Sequence, residues 1–205
     1  MLRALPLAVA FLLLTGCQTP IPGPDIEALS QSVVRIVRTD GGYGTGWILN
    51  DGRIATVAHG PKLGEVVSVH FRDREEISGT VIWANRRLDL AIVSTSVPPI
   101  YTAASLSCGS IRSGQSIIVI GHPLRMRWAV FFGYITAVNP AWKLGVEEVF
   151  AALQLPAANG MSGAPVFDDS GKVIGMALGW LGGRNDHTTG FAYMLRATAI
   201  CEALP

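Results

Sequence analysis

The chain is cut into short apolar runs, and that punctuation limits the folds open to it. Runs rich in β-branched and aromatic residues occupy positions 33–37, 46–49, 54–57, 66–71, 80–83, 91–94, 117–120, 130–138, 149–153, 173–178 and 190–194. Each has the length of a strand, and alternation or continuous apolarity marks it as at least half buried. Glycine supplies 23 of the 205 residues, about 11% against a usual value of roughly 7%, as many tight turns require. Asp51-Gly52 and Ser170-Gly171 are hairpin signals between such runs. A helical period shows only at 195–204, where a short closing helix is expected. About a dozen short strands and one terminal helix predict an all-β chain of two packed six-stranded antiparallel β-barrels. The expected bounds are about 26–105 for the first barrel, about 106–194 for the second and about 195–204 for the helix. A cleft between the barrels is then the natural place for a site.

Residues 158–167 read A-N-G-M-S-G-A-P-V-F. Ser162 stands between two glycines, which let the backbone turn tightly enough to expose the hydroxyl and to aim successive N–H groups at one point. An acyl-transfer nucleophile needs that arrangement: an accessible oxygen beside donors for an oxyanion. Two further residues complete the chemistry. His59 ends the short apolar run in R-I-A-T-V-A-H-G, and Asp89 opens the buried run in R-L-D-L-A-I-V. A neutral imidazole takes the proton from a serine hydroxyl, and a buried carboxylate sets its tautomer and stabilises the imidazolium. His70, His122 and His187 are expected to be structural.

G-M-S-G-A also has the outline of the G-x-S-x-G elbow of α/β-hydrolases, with Asp168, Asp186 and His187 following it. That elbow needs a strand before the serine and a helix after it. Here Pro165-Val166-Phe167, a turn at Asp168-Asp169-Ser170-Gly171 and then Val173-Ile174 follow. The pattern is a hairpin, and the elbow reading fails.

With these residues in view, the chain resembles the trypsin-like (chymotrypsin-fold) serine proteases, and within them the HtrA-type bacterial branch. The resemblance runs through S-Q-S-V-V-R-I, G-T-G-W-I-L-N-D-G, T-V-A-H, L-D-L-A-I-V, I-V-I-G-H-P-L, G-Y-I-T-A-V-N, the serine segment with D-D-S-G-K-V-I-G-M, and T-G-F-A-Y. It implies His59 as general base, Asp89 as its orienting acid, Ser162 as nucleophile, and the N–H groups of Gly160 and Ser162 as oxyanion hole. It also implies protein or peptide substrates, with selectivity walls near 155–158 and 176–189. No acid stands at the expected pocket base, so small or medium apolar side chains are the expected preference. The loop at 179–189, with three glycines, has the composition of a gating element or of a plain surface loop.

Two positions depart from the family pattern. Met161 precedes the nucleophile where digestive enzymes carry an aspartate that pairs with a newly cut amine, so activation by N-terminal trimming is not expected. Ala164 stands where a second glycine is usual, and its methyl group is tolerable only at negative φ.

The first sixteen residues read as a lipoprotein signal peptide. Arg3 precedes an apolar run at 4–14, too short to span a bilayer, and Leu14-Thr15-Gly16-Cys17 resembles a bacterial lipobox. Cys17 is then the lipidated N-terminus, and residues 17–25, with Pro20, Pro22 and Pro24, form an extended tether. The expected address is the cell envelope, lipid-anchored, on the periplasmic face of the outer membrane in a Gram-negative host. Cys108 and Cys201 remain, and in an oxidising compartment they suggest one disulfide. In the resembled fold the terminal helix packs back near the inter-barrel linker, which would let the two meet.

A net charge of +1 with scattered basic residues gives no nucleic-acid footprint. No metal-ligand spacing or cofactor motif is found, and no PDZ domain is expected in this chain. The expected activity is that of a membrane-tethered serine endopeptidase. The rival from another class is a weak or inactive trypsin-fold envelope lipoprotein that binds partners with its cleft.

Overall fold

The computed structural model describes residues 23–73, 76–139, 150–182 and 188–204. Cys17 and His187 lie outside them, as does part of the loop at 179–189. Twelve strands close into two antiparallel barrels, ordered β1-β2-β3-β6-β5-β4 and β10-β11-β12-β9-β8-β7. The first contains β1 (Val33–Val37), β2 (Tyr43–Ile48), β3 (Ile54–Thr56), β4 (Val66–His70), β5 (Glu76–Asn85) and β6 (Leu90–Ser94). The second contains β7 (Ser116–Gly121), β8 (Ala129–Val138), β9 (Phe150–Gln154), β10 (Pro165–Phe167), β11 (Val173–Gly182) and β12 (Thr188–Arg196). The all-β expectation of two six-stranded barrels holds.

Several elements depart from the sequence reading, among them β2, which begins three residues before its apolar run, and β11, which ends four residues after its own. Helix α1 (Ile26–Ser30) precedes the first strand, capped by the Asp25 carboxylate, which accepts from the N–H groups of Glu27 and Ala28. Five residues are too few to show a helical period, so only the cap residue announces it. Strand β5 begins several residues earlier than its apolar portion, because Glu76, Ile77 and Ser78 pair along β4 whatever their polarity. Sheet pairing is a backbone property, and an edge of polar residues extends it without an apolar signal.

Three apolar clusters fill the molecule. One lies inside each barrel, around Val67, Val69 and Val81 in the first and Ile117, Leu153 and Met194 in the second. The third draws Trp47, Leu90 and Ile92 from the first barrel and Ile120, Phe167 and Leu195 from the second into one mass. Helix α2 (Ala197–Ala203) adds Ala199 and Ile200 to this shared core. Cys108 and Cys201 are joined, with Cα atoms 6.2 Å apart, tying the inter-barrel segment to α2. The shared core fixes the relative position of the barrels, and therefore of whatever each carries at their junction. Phe167 is fully buried there. Phe167→Ala is expected to lower the unfolding free energy by about 3–5 kcal/mol, read by urea denaturation.

Candidate active site

Strand register brings the first two candidate residues together. In the β3–β6 ladder Ile54 pairs with Val93, Ala55 with Ile92 and Thr56 with Ala91. Continuing the ladder past β3 sets Ala58 beside Asp89, and the Ala58 N–H reaches the Asp89 carbonyl at 3.2 Å. Asn85 caps the tight β5–β6 connection, its side-chain oxygen accepting from the N–H groups of Arg87 and Leu88. Asp89 leaves that turn at φ 55°, in the left-handed region that Asp enters more readily than most residues. Its carboxylate then swings towards the first-barrel loop. Oδ1 accepts from the N–H groups of Ala58 (3.0 Å) and His59 (2.7 Å), and Oδ2 lies 2.6 Å from His59 Nδ1. Two backbone donors anchor the carboxylate while its second oxygen orients the ring. The far nitrogen of His59 is left for chemistry on a side chain about half exposed to solvent, at 52%.

Ser162 comes from the second barrel, between Gly160 at φ 99° and Gly163 at φ 89°. Both glycines are required. A Cβ on Gly160 would lie 2.3 Å from the His122 carbonyl oxygen, and one on Gly163 would lie 2.0 Å from that of Thr45. The Gly163 N–H donates to Ala177 O (2.7 Å) and the Thr45 N–H to Ser162 O (2.9 Å). The serine is thus pinned between β11 on one side and β2 on the other. Ser162 is half-buried. Among the described contacts no hydrogen bond joins its Oγ to His59. Such bonds are often long in unliganded enzymes and tighten when substrate binds.

The peptide between Asn159 and Gly160 has a set direction. The Asn159 carbonyl accepts from the Leu124 N–H at 2.9 Å. The peptide is trans, since no cis bond occurs among the described residues, so the Gly160 N–H points the opposite way. Neither that N–H nor that of Ser162 reaches an acceptor among the described residues, whereas the intervening Met161 N–H donates to Ala158 O. Two donors without an acceptor, on either side of one that has its partner, set this turn apart. Met161 itself is buried in the second barrel's core beside Leu155 and Ala164. An apolar anchor therefore stands where an ionic one was lacking. Ala164 is not among the residues with positive φ, so its methyl group is accommodated.

Two residues that the sequence did not place at the site, Thr45 and His122, hold this loop, and a third, Tyr193, feels the Asp89 charge. Thr45 Oγ1 donates to Gly160 O (2.7 Å) and accepts from the His122 N–H (3.2 Å), while the Thr45 carbonyl accepts from Thr56 Oγ1 (2.7 Å). Its only sequence signal is its place in G-T-G-W. His122 is fully buried, accepts from the Trp128 N–H at Nδ1 (3.2 Å) and meets that ring edge-on. Burial, with Arg35 and Arg127 nearby, pushes its pKa down to about 3, although the Val34 carbonyl opposes the shift. Tyr193, on β12, has its phenol held above the usual value by burial first and by the Asp89 charge second. It places a second-barrel group near the aspartate.

A recess of about 190 Å³ adjoins His59, lined by Tyr43, Gly44, Val57, His59 and Pro61 among others. Among the described residues no group of three or more His, Cys, Asp or Glu side chains converges to hold a metal. No helix among them is long and apolar enough to cross a membrane.

Two six-stranded barrels, with a His–Asp pair on one and a Gly-Met-Ser-Gly turn on the other, define a chymotrypsin-type architecture. The chain belongs to the trypsin-like peptidase family, whose domain description matches residues 44–176. It is 28% identical over 137 residues to a probable periplasmic serine endoprotease, DegP-like, of Brucella suis biovar 1 (strain 1330), covering 65% of this chain and 26% of that one. A protein of the same description from Halomonas elongata is 28% identical over 134 residues, covering 65% and 28%. The chain therefore spans about a quarter of the length of these relatives. Among solved structures it resembles HtrA-type protease AlgW with tripeptide at a TM-score of 0.76 and 21% identity, over 87% of this chain and 62% of that one. It also resembles the Rv3671c protease in its inactive form at 0.72 and 21%, over 90% and 96%. At that identity the structural likeness concerns the fold.

His122 makes the loop sensitive to acid. An unfolded imidazole binds its proton near 6.5, whereas the folded one resists protonation down to about 3. Between those values the unfolded chain holds more protons, so stability is full above pH 6.5 and is lost as pH falls, by up to about 1.4 kcal/mol per unit. His122→Gln is expected to flatten that acid limb in urea titrations at successive pH values.

Proposed function

We propose that this chain is a serine endopeptidase that cleaves peptide bonds through an acyl-enzyme. His59 Nε2 takes the proton of Ser162 Oγ as that oxygen attacks the scissile carbonyl. Asp89 holds the Nδ1 proton in place and offsets the imidazolium charge. The developing oxyanion receives the N–H groups of Gly160 and Ser162. Collapse of the tetrahedral adduct breaks the C–N bond, and His59 returns the proton to the leaving amine. Water activated by the same imidazole then hydrolyses the ester. The observation that carries this reading is the conjunction of the 2.6 Å His59–Asp89 contact with two unspent N–H donors flanking Met161. The lack of any acid at 155–158 or 176–182 supports small or medium apolar side chains on the acyl side of the substrate.

The envelope setting is proposed on two supports: the Leu14-Thr15-Gly16-Cys17 motif and the periplasmic description of the relatives. Cys17 would carry the lipid and residues 17–25 the tether.

The missing Ser162–His59 hydrogen bond favours one other reading, an envelope binding module with a weak or silent site. Labelling with a fluorophosphonate probe separates the two. Endopeptidase action predicts covalent labelling that Ser162→Ala abolishes; an unlabelled wild-type chain would sink it and leave the binding module. Thr45→Val tests the oxyanion geometry, because it frees the Gly160 carbonyl. Loss of one oxyanion donor's aim is worth roughly 10²–10³ in kcat, and peptide cleavage by this variant should fall towards that range with little change in KM.

A further inference from the structure

We propose that Arg35 and Arg125, set over the Tyr43 ring, together with Arg127, whose charge acts on Arg35, form a subsite for a carboxylate in the leaving half of the peptide substrate. The inference rests on the endopeptidase reading and extends it to the side of the scissile bond that His59 serves.

Its geometry begins with Tyr43. The ring lines the recess beside His59 and packs against the nucleophile loop, so that a Cβ on Gly160 would fall 2.4 Å from it. Ser162 is held between β2 and β11, and His59 stands on the β2 side, where it would protonate the departing amine. Chain leaving that amine therefore runs past Tyr43, away from the segments at 155–158 and 176–178 expected to flank the acyl side. The Arg35 guanidinium lies 5.0 Å from the Tyr43 ring centre and that of Arg125 lies 5.7 Å from it. The Arg125 N–H also donates to the Tyr43 hydroxyl at 3.1 Å, which ties the 122–128 turn to this ring.

Among the described residues no carboxylate joins the cluster. Arg38, Arg53 and Arg72 all pair with carboxylates. Among the described residues Arg35, Arg125 and Arg127 pair with none, and the buried Arg35 Nε has no hydrogen-bond partner. Burial first, and then the charge of Arg127, already makes the Arg35 guanidinium easier to deprotonate than usual. Two cations beside an aromatic face, with a third adding its charge and one donor left unspent, are relieved by a bound anion. Guanidinium forks favour a planar carboxylate. Two sources offer one here: an acidic side chain a few residues past the scissile bond, or the free C-terminus of a short leaving segment.

The test uses quenched peptides in matched pairs on the full chain. One set exchanges Glu for Gln at the first, second or third position after the cleaved bond; another exchanges a free C-terminus for an amide. We expect kcat/KM about five- to tenfold higher for the carboxylate member of at least one pair, shrinking as salt rises. Whichever set responds identifies the source. In Arg125→Gln/Arg127→Gln, both sites exposed and thus harmless to folding, the ratio should fall to near one; Arg35→Gln adds a third reading if it folds. A ratio near one in the wild type, or a ratio that survives the double substitution, overturns the subsite. The same pairs are titrated by fluorescence anisotropy against Ser162→Ala. If the wild type cleaves nothing in a Ser162-dependent way, the endopeptidase reading fails. The anisotropy ratio, with and without the arginines, then still decides whether the cleft prefers a carboxylate.

Discussion

Thr45 is the point at which the two barrels become one site. Its N–H holds the Ser162 carbonyl, its hydroxyl bridges Gly160 and His122, and its own carbonyl accepts from Thr56, three residues ahead of His59. Four hydrogen bonds on one residue join the strand preceding the histidine to the turn carrying the serine. The three that involve a side chain are buried, where an unmade bond costs the full desolvation of its group. That cost makes the arrangement specific as well as stable, because displacing the loop would orphan several groups together. Gly163 completes the fit by letting the serine turn approach the Thr45 carbonyl closer than any side chain allows.

Around this pin the structure divides its labour between apolar and polar contacts. The shared core holds the barrels in place through area buried, without direction. Direction comes from the backbone: the Leu124 N–H turns the Asn159 peptide, and the Asp89 carboxylate is oriented by the N–H groups of residues 58 and 59. The turn that supplies the Leu124 donor is itself unusual. Leu124, Arg125 and Trp128 all have positive φ, a conformation non-glycine residues adopt only when the surroundings impose it. Packing of His122 against Trp128, and the Trp128 Nε1–H bond to Val33 O at 2.9 Å, are the surroundings that do so.

Much of the fold was legible because it rests on local patterns. The strands β1, β3, β6, β7 and β8 coincide closely with apolar runs, since their burial leaves a trace in every second or every residue. The polar start of β5 left no such trace, and helix α1 left only its cap residue Asp25. The candidate site was legible at His59, Asp89 and Ser162, each marked by a run that ends or begins beside it. Thr45, His122 and Tyr43 were not, because a threonine between glycines or a histidine before a proline looks the same whether or not it meets a loop far away in sequence. Met161 read as an oddity in sequence and is an ordinary core side chain once the second barrel closes over it.

The sequence alone determined the strand content, the division into two halves, the residue types of the candidate acyl-transfer site and the glycines that its turn demands. These follow from period, composition and the steric needs of single residues. Only the tertiary structure decided that the Asp89 carboxylate meets His59 by strand register, that the Gly160 N–H points away from Leu124, and that two arginines share one aromatic ring. Each depends on how distant segments are set against one another by the shared core, and that placement is a property of the packed whole which no local stretch of sequence carries.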